Sequence, residues 1–214
     1  YHPNVTIPFN NGNGDAILQA KFQVCAAGSP PAGAYTVFFD GAGTLDFTGD
    51  AVATVTTSGS TITITPTTAG VTMRVMVTTA NNPIKNIRIV MPGFTATYAT
   101  DPWHPDLISK LAAIKRSGTR LVVRTMEWTR TNGVKPAANI GWANRSLTTW
   151  ASQATGFGVA WEYVARLGNR LEADPWINIK HQDTEADIRA LAQLMLAELD
   201  SSRDLWVEPS NEAF

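Results

Sequence analysis

The chain has 214 residues, 44% of them hydrophobic, with 17 basic against 18 acidic side chains, enough apolar material for one large core or two modest ones. Near-neutral charge argues against a nucleic-acid or anionic-membrane partner, and no run of about 18 apolar residues reads as a membrane span. A single cysteine, Cys25, excludes an internal disulfide, and His2, His104 and His181 stand too far apart for a catalytic zinc, so neither metal nor cofactor is expected. Only 16% of residues are charged, with Thr, Ser, Asn, Ala and Gly in their place, a balance common in secreted proteins. The expected location is therefore extracellular. The opening at Tyr1 without a methionine reads as a processed chain or a fragment, and Asn4-Val-Thr6 and Asn144-Arg-Ser146 fit the glycosylation sequon.

Residues 1–85 are rich in Thr, Val, Gly, Pro and Ser and are expected to form a β-sandwich accessory domain. Strands are expected over 16–24, 34–40, 43–47, 51–57, 60–65 and 70–78. In 60–65, Ile62 and Ile64 alternate with Thr, and in 70–78 Val71, Met73, Val75 and Val77 alternate with Thr72, Arg74, Met76 and Thr78. That period of two gives one face to a core and one to solvent. Asp40-Gly41 and Ser58-Gly59 are hairpin turn signals. Tyr35, Phe38, Phe39 and Phe47 read as core residues rather than as an aromatic sugar platform.

From residue 86 to 214 the pattern reads as β/α units. A strand is expected over 86–91, a helix over 105–117 with Pro105 in its first turn, and a near-continuous apolar strand over 121–126. A long loop from 127 to 157 carries Trp128, Trp142 and Trp150, and loops of that length are usually functional. A helix over 159–173, a strand over 175–179, a helix opened by a capping box at Thr184 and Asp187, and a strand over 205–207 complete the series. Trp161, Trp176 and Trp206 are expected in the core. Four parallel strands would make the first half of a (β/α)8 barrel, whose open edges call for a second polypeptide.

Functional side chains collect at the carboxyl ends of parallel strands. The second strand of the series ends in Arg124-Thr-Met-Glu-Trp128, the third in Lys180-His181, the fourth in Glu208-Pro-Ser-Asn-Glu212. Guanidinium, imidazole and carboxylate groups ringed by tryptophan suit a sugar-binding cleft. Asn211 beside Glu212 fits a general acid/base with a neighbouring amide to hold a hydroxyl.

Glu208-x-x-Asn211-Glu212 resembles the acid/base motif of the cellulase and β-mannanase superfamily of (β/α)8 retaining glycosidases. Glu127-Trp-Thr-Arg-Thr-Asn132, Ala160-Trp-Glu-Tyr163, Asp174-Pro-Trp-Ile-Asn178 and Gly33-Ala-Tyr-Thr-Val-Phe-Phe-Asp-Gly-Ala-Gly-Thr-Leu45 are similar to extracellular proteins that place a β-sandwich before such a barrel. The resemblance implies hydrolysis of a β-linked polysaccharide with retention, Glu212 as acid/base, and Asn211, His181, Trp128, Arg124 and Glu127 as substrate-binding residues. It places the nucleophile on a seventh strand, here to be supplied by another polypeptide. Two other readings stand beside it: a structural or adhesive extracellular protein on a glycosidase scaffold, and a carbohydrate-binding module.

Overall fold

A computed structural model describes residues 20–28, 30–131, 141–150, 153 and 156–211, except for the Glu127 side chain. The chain divides into two compact units between Trp103 and His104.

The first unit contains seven strands: β1 (Ala20–Cys25), β2 (Gly33–Asp40), β3 (Gly43–Gly49), β4 (Ala53–Val55), β5 (Ser60–Ile64), β6 (Val71–Thr78) and β7 (Lys85–Val90). They form two antiparallel sheets, ordered β1-β6-β3-β4 and β5-β2-β7. Alternation decides what is buried. Tyr35, Val37 and Phe39 of β2, Leu45 and Phe47 of β3, Ile62 and Ile64 of β5, and Val71, Met73 and Val75 of β6 join one core fed by both sheets. Phe38 falls on the other parity of β2. It leaves the core, stacks on Tyr98 with ring centroids 5.7 Å apart, and lies under the Arg88 guanidinium. The turn from β2 to β3 requires Gly41, whose φ is 87° and where a Cβ would stand 2.0 Å from the Pro83 carbonyl oxygen.

The second unit holds α1 (Pro105–Ala113), β8 (Leu121–Arg124), α2 (Trp161–Leu171), β9 (Ala173–Ile179), α3 (Glu185–Glu198) and β10 (Trp206–Pro209), with 3-10 turns at Met126–Thr129 and Trp142–Asn144. The three strands form a parallel sheet in the order β10-β9-β8. Ile177 of β9 packs with Val164 and Ala165 of α2 and with Leu191 and Met195 of α3, so both crossover helices share one side of the sheet. α2 comes close to β9 because residue 168 is glycine: a Cβ there would stand 2.8 Å from Pro175 Cγ. Thr184 and Asp187 form the expected capping box of α3.

The expected fold class, a β-sandwich followed by the first half of a (β/α)8 barrel, does not hold. The described residues form a mostly β structure of ten strands in three sheets with three helices. The strand expected to open the β/α series is β7, and it pairs antiparallel with β2. Its sequence carries the reason. Lys85, Asn86 and Arg88 are exposed between the partly buried Ile87 and Ile89, the pattern of an antiparallel strand wet on one face. A parallel strand covered on both faces would be apolar throughout. α1 accordingly joins no two strands of one sheet, and three parallel strands remain with two crossovers. Phe47→Ala removes a fully buried ring from the two-sheet core. The expected cost is about 3–5 kcal/mol, read as a lower urea midpoint with an unchanged m-value.

Candidate functional site

Because β8, β9 and β10 are parallel, their carboxyl ends point the same way. Registry aligns Arg124 with Trp176 and Trp206 with Trp176, and sets Glu208 opposite Asn178. Ile177 faces the helices, so its neighbours Trp176 and Asn178 project to the opposite side. No helix among the described residues packs on that side. Val122 is 40% exposed there, Trp176 37% and Trp206 54%. Trp176 and Trp206 were expected in the core; they lie on the side of the sheet that no described helix covers, and both are exposed. Trp161 does pack against the helix-side cluster.

Polar side chains converge where this face reaches the strand ends. Glu208 Oε2 accepts from Arg124 Nη2 at 2.8 Å, from Arg124 Nε at 3.2 Å and from Trp176 Nε1 at 2.9 Å. Arg124 Nη2 also donates to Asn211 Oδ1 at 2.7 Å, and its guanidinium lies 5.0 Å from the centre of the Trp176 ring. These are charge-assisted bonds with a cation–π contact in one cluster. Hydrogen bonding from Arg124 holds the Glu208 carboxyl below the usual glutamate range, with Asn178, the Arg124 charge and the Trp176 N–H acting in the same direction against partial desolvation.

Asn178 lies beneath the cluster, with none of its surface exposed. Its Nδ2 donates to the Ser210 carbonyl at 2.8 Å, while Oδ1 has no hydrogen-bond partner among the described residues. Ser210 has a φ of 62°, and its N–H donates to the Ile179 carbonyl at 2.6 Å, clamping the turn after β10 onto the end of β9. β10 stops at Pro209, tolerated because β10 is an edge strand.

Of the residues expected to act on substrate, Arg124 and Asn211 are brought into direct contact. Glu212, the expected acid/base, lies outside the described residues, as does the side chain of Glu127. Trp128 packs against the helix-side cluster of Val164 and Leu191, away from the open face. His181 is exposed in the turn after β9. Sequence reasoning missed Trp176 and Asn178. The signal was parity: Asp174, Trp176 and Asn178 share one side of β9, while Pro175, Ile177 and Ile179 share the other.

The cluster offers a fixed cation, a fixed anion, amides and an indole edge. Glu208 is ionised at neutral pH, so it accepts hydrogen bonds and does not serve as a general acid. Searches against protein families, curated proteins and solved structures found no match to this chain. The functional reading therefore rests on these residues.

A carboxyl whose folded pKa is depressed stabilises the fold above its unfolded value, about 4.3 for glutamate, and loses that contribution as pH falls through the folded value. Arg124→Met removes the main cause of the depression. Its melting-temperature deficit against the wild type is expected to be full above about pH 5 and to shrink steadily at lower pH. A deficit independent of pH between neutrality and strong acid would contradict the Glu208 assignment.

Proposed function

We propose that this is an extracellular, glycoside-hydrolase-like protein acting on a β-linked polysaccharide, with the strand-end cluster as its sugar-hydroxyl fork. The observation that carries the reading is the Arg124–Glu208–Asn211 network seated on Trp176 at the carboxyl ends of three parallel strands. Sugars present hydroxyls that donate to a carboxylate and accept from a guanidinium, and their C–H faces pack on indole rings. The cluster supplies all three chemistries on the uncovered side of the sheet. Glu212 follows Asn211 in sequence and takes the acid/base role in this reading, with Glu208 orienting the fork. A retaining mechanism needs a second carboxyl about 5 Å from the first, and this role is assigned to a second polypeptide segment.

One feature favours a second reading, sugar binding without hydrolysis. The carboxylate placed in the cluster is already neutralised by Arg124 and by the Trp176 N–H, which suits holding a ligand better than reacting with it.

Affinity electrophoresis in a panel of soluble β-glucans, mannans and xylans, run beside a reducing-sugar assay, separates the two. Arg124→Ala is expected to weaken polysaccharide binding at least about tenfold, equivalent to ~1.4 kcal/mol. Glu212→Gln is expected to abolish sugar release while leaving binding intact. Binding without release when the segment carrying the second carboxyl is present leaves the binding reading alone, and no retardation by any polysaccharide removes both.

A further inference from the structure

Away from the strand-end cluster, a cleft of about 50 Å³ opens in the second unit where the turn after β9 meets the Trp142–Asn144 turn and the start of α2. Trp142, Phe157 and Trp161 wall it, and Lys180 and Asp183 reach it from the β9–α3 turn. A water-sized group fills about 10–15 Å³ on this measure, so the space takes three or four non-hydrogen atoms.

The charged groups around the cleft differ in how far they are committed. Arg145 donates to Glu162 at 3.0 Å and lies 4.3 Å above the Trp142 ring. Asp187 accepts from the Trp142 N–H at 2.7 Å and from the Thr184 N–H at 3.1 Å, which spends its carboxylate on the cap of α3. Lys180 and Asp183 are not spent in this way. Among the described residues Asp183 accepts only the Lys180 backbone N–H, at 3.1 Å, and Lys180 Nζ has neither a hydrogen bond nor an ion pair. A lysine amine and a carboxyl group thus share a small, aromatic-walled space with little else to bind.

We propose that Lys180 is a carbonyl-reactive amine and that this cleft captures a two- or three-carbon aldehyde as an imine, with Asp183 carrying the protons. The neutral amine attacks the carbonyl carbon, and the C–N bond forms as the π pair moves to oxygen. The surplus proton on nitrogen passes through Asp183 to that oxygen and gives a carbinolamine. Asp183 in its acid form then protonates the hydroxyl, the C–O bond breaks, and water leaves. The nitrogen lone pair closes the C=N bond, and the remaining proton on nitrogen returns to the Asp183 carboxylate. One amine and one aldehyde give one imine and one water, with no change of oxidation state.

The electrostatics fit this assignment. Burial pushes the Lys180 amine below the usual lysine range and Arg130 adds to the effect, against the attraction of Asp183. Burial likewise pushes the Asp183 carboxyl up and Asp187 adds to it, against Lys180 and His181. The two groups are drawn toward each other in proton affinity, which is what an amine nucleophile with an acid/base neighbour requires. An anionic ligand fits less well, because Asp183 and Asp187 both border the space.

The test uses the full chain, glycolaldehyde as probe and sodium cyanoborohydride to reduce any imine, with adducts located by peptide mass spectrometry. Lys21, Lys85 and Lys110, all exposed, are the internal references. At neutral pH the expected rate at Lys180 is at least about tenfold above theirs, equivalent to ~1.4 kcal/mol in activation free energy, and the advantage is expected to vanish in denaturing urea. Asp183→Asn is expected to slow labelling at Lys180 alone. Labelling of Lys180 in the native wild type at or below the reference rate overturns the proposal, with no variant needed to read the result.

Discussion

Two guanidinium groups hold the three-stranded sheet together across the face opposite α2 and α3. Arg120, next to the start of β8, reaches over to Asp174 of β9 and Asp204 ahead of β10, and Asp174 in turn accepts the Asp204 backbone N–H at 3.0 Å. Arg124, at the end of β8, spans Trp176 to reach Glu208. Between the clamps lie Val122, Trp176 and Trp206. Register sets Val122 beside Asp174, Arg124 and Trp206 on either side of Trp176, and Glu208 beside Asn178, each strand contributing every second side chain to this face. The opposite face is apolar and belongs to α2 and α3.

That division of labour explains why polar side chains gather at the strand ends. Parallel sheets are usually covered on both faces, and their strands are then apolar on both. Here, among the described residues, the face away from α2 and α3 carries charge. Buried or half-buried charges persist only when paired and hydrogen-bonded, and Arg124, Glu208, Asn211 and Trp176 meet that condition among themselves. Beneath them Asn178 fixes the turn at Ser210 and keeps one amide oxygen unused.

Much of the local structure was legible in the sequence. Alternation of Ile62 and Ile64 with threonine, and of Val71, Met73 and Val75 with their neighbours, foretold β5 and β6 and the side each buries, but Val77, expected on the same face, is exposed at the end of β6. Thr184 and Asp187 foretold the start of α3. Of the residues singled out at the strand ends, Arg124 and Asn211 come into contact. The assembly was misread at one element. The alternation of β7 was visible, but a change in period near residue 86 outweighed it, and one strand assigned to the wrong sheet was enough to turn three parallel strands into half a barrel.

The sequence by itself determined the elements, their periodicity and their caps, because those depend on neighbours within a few residues: a β-strand alternates every second position, and a capping box closes over three. Only the tertiary structure decided which sheet β7 joins, which face of β9 the helices cover, and that Trp176 joins the Arg124–Glu208 cluster rather than a core. Those outcomes depend on partners such as Arg124 and Glu208, separated by 84 residues, and on whether anything covers a face. No local pattern carries that information.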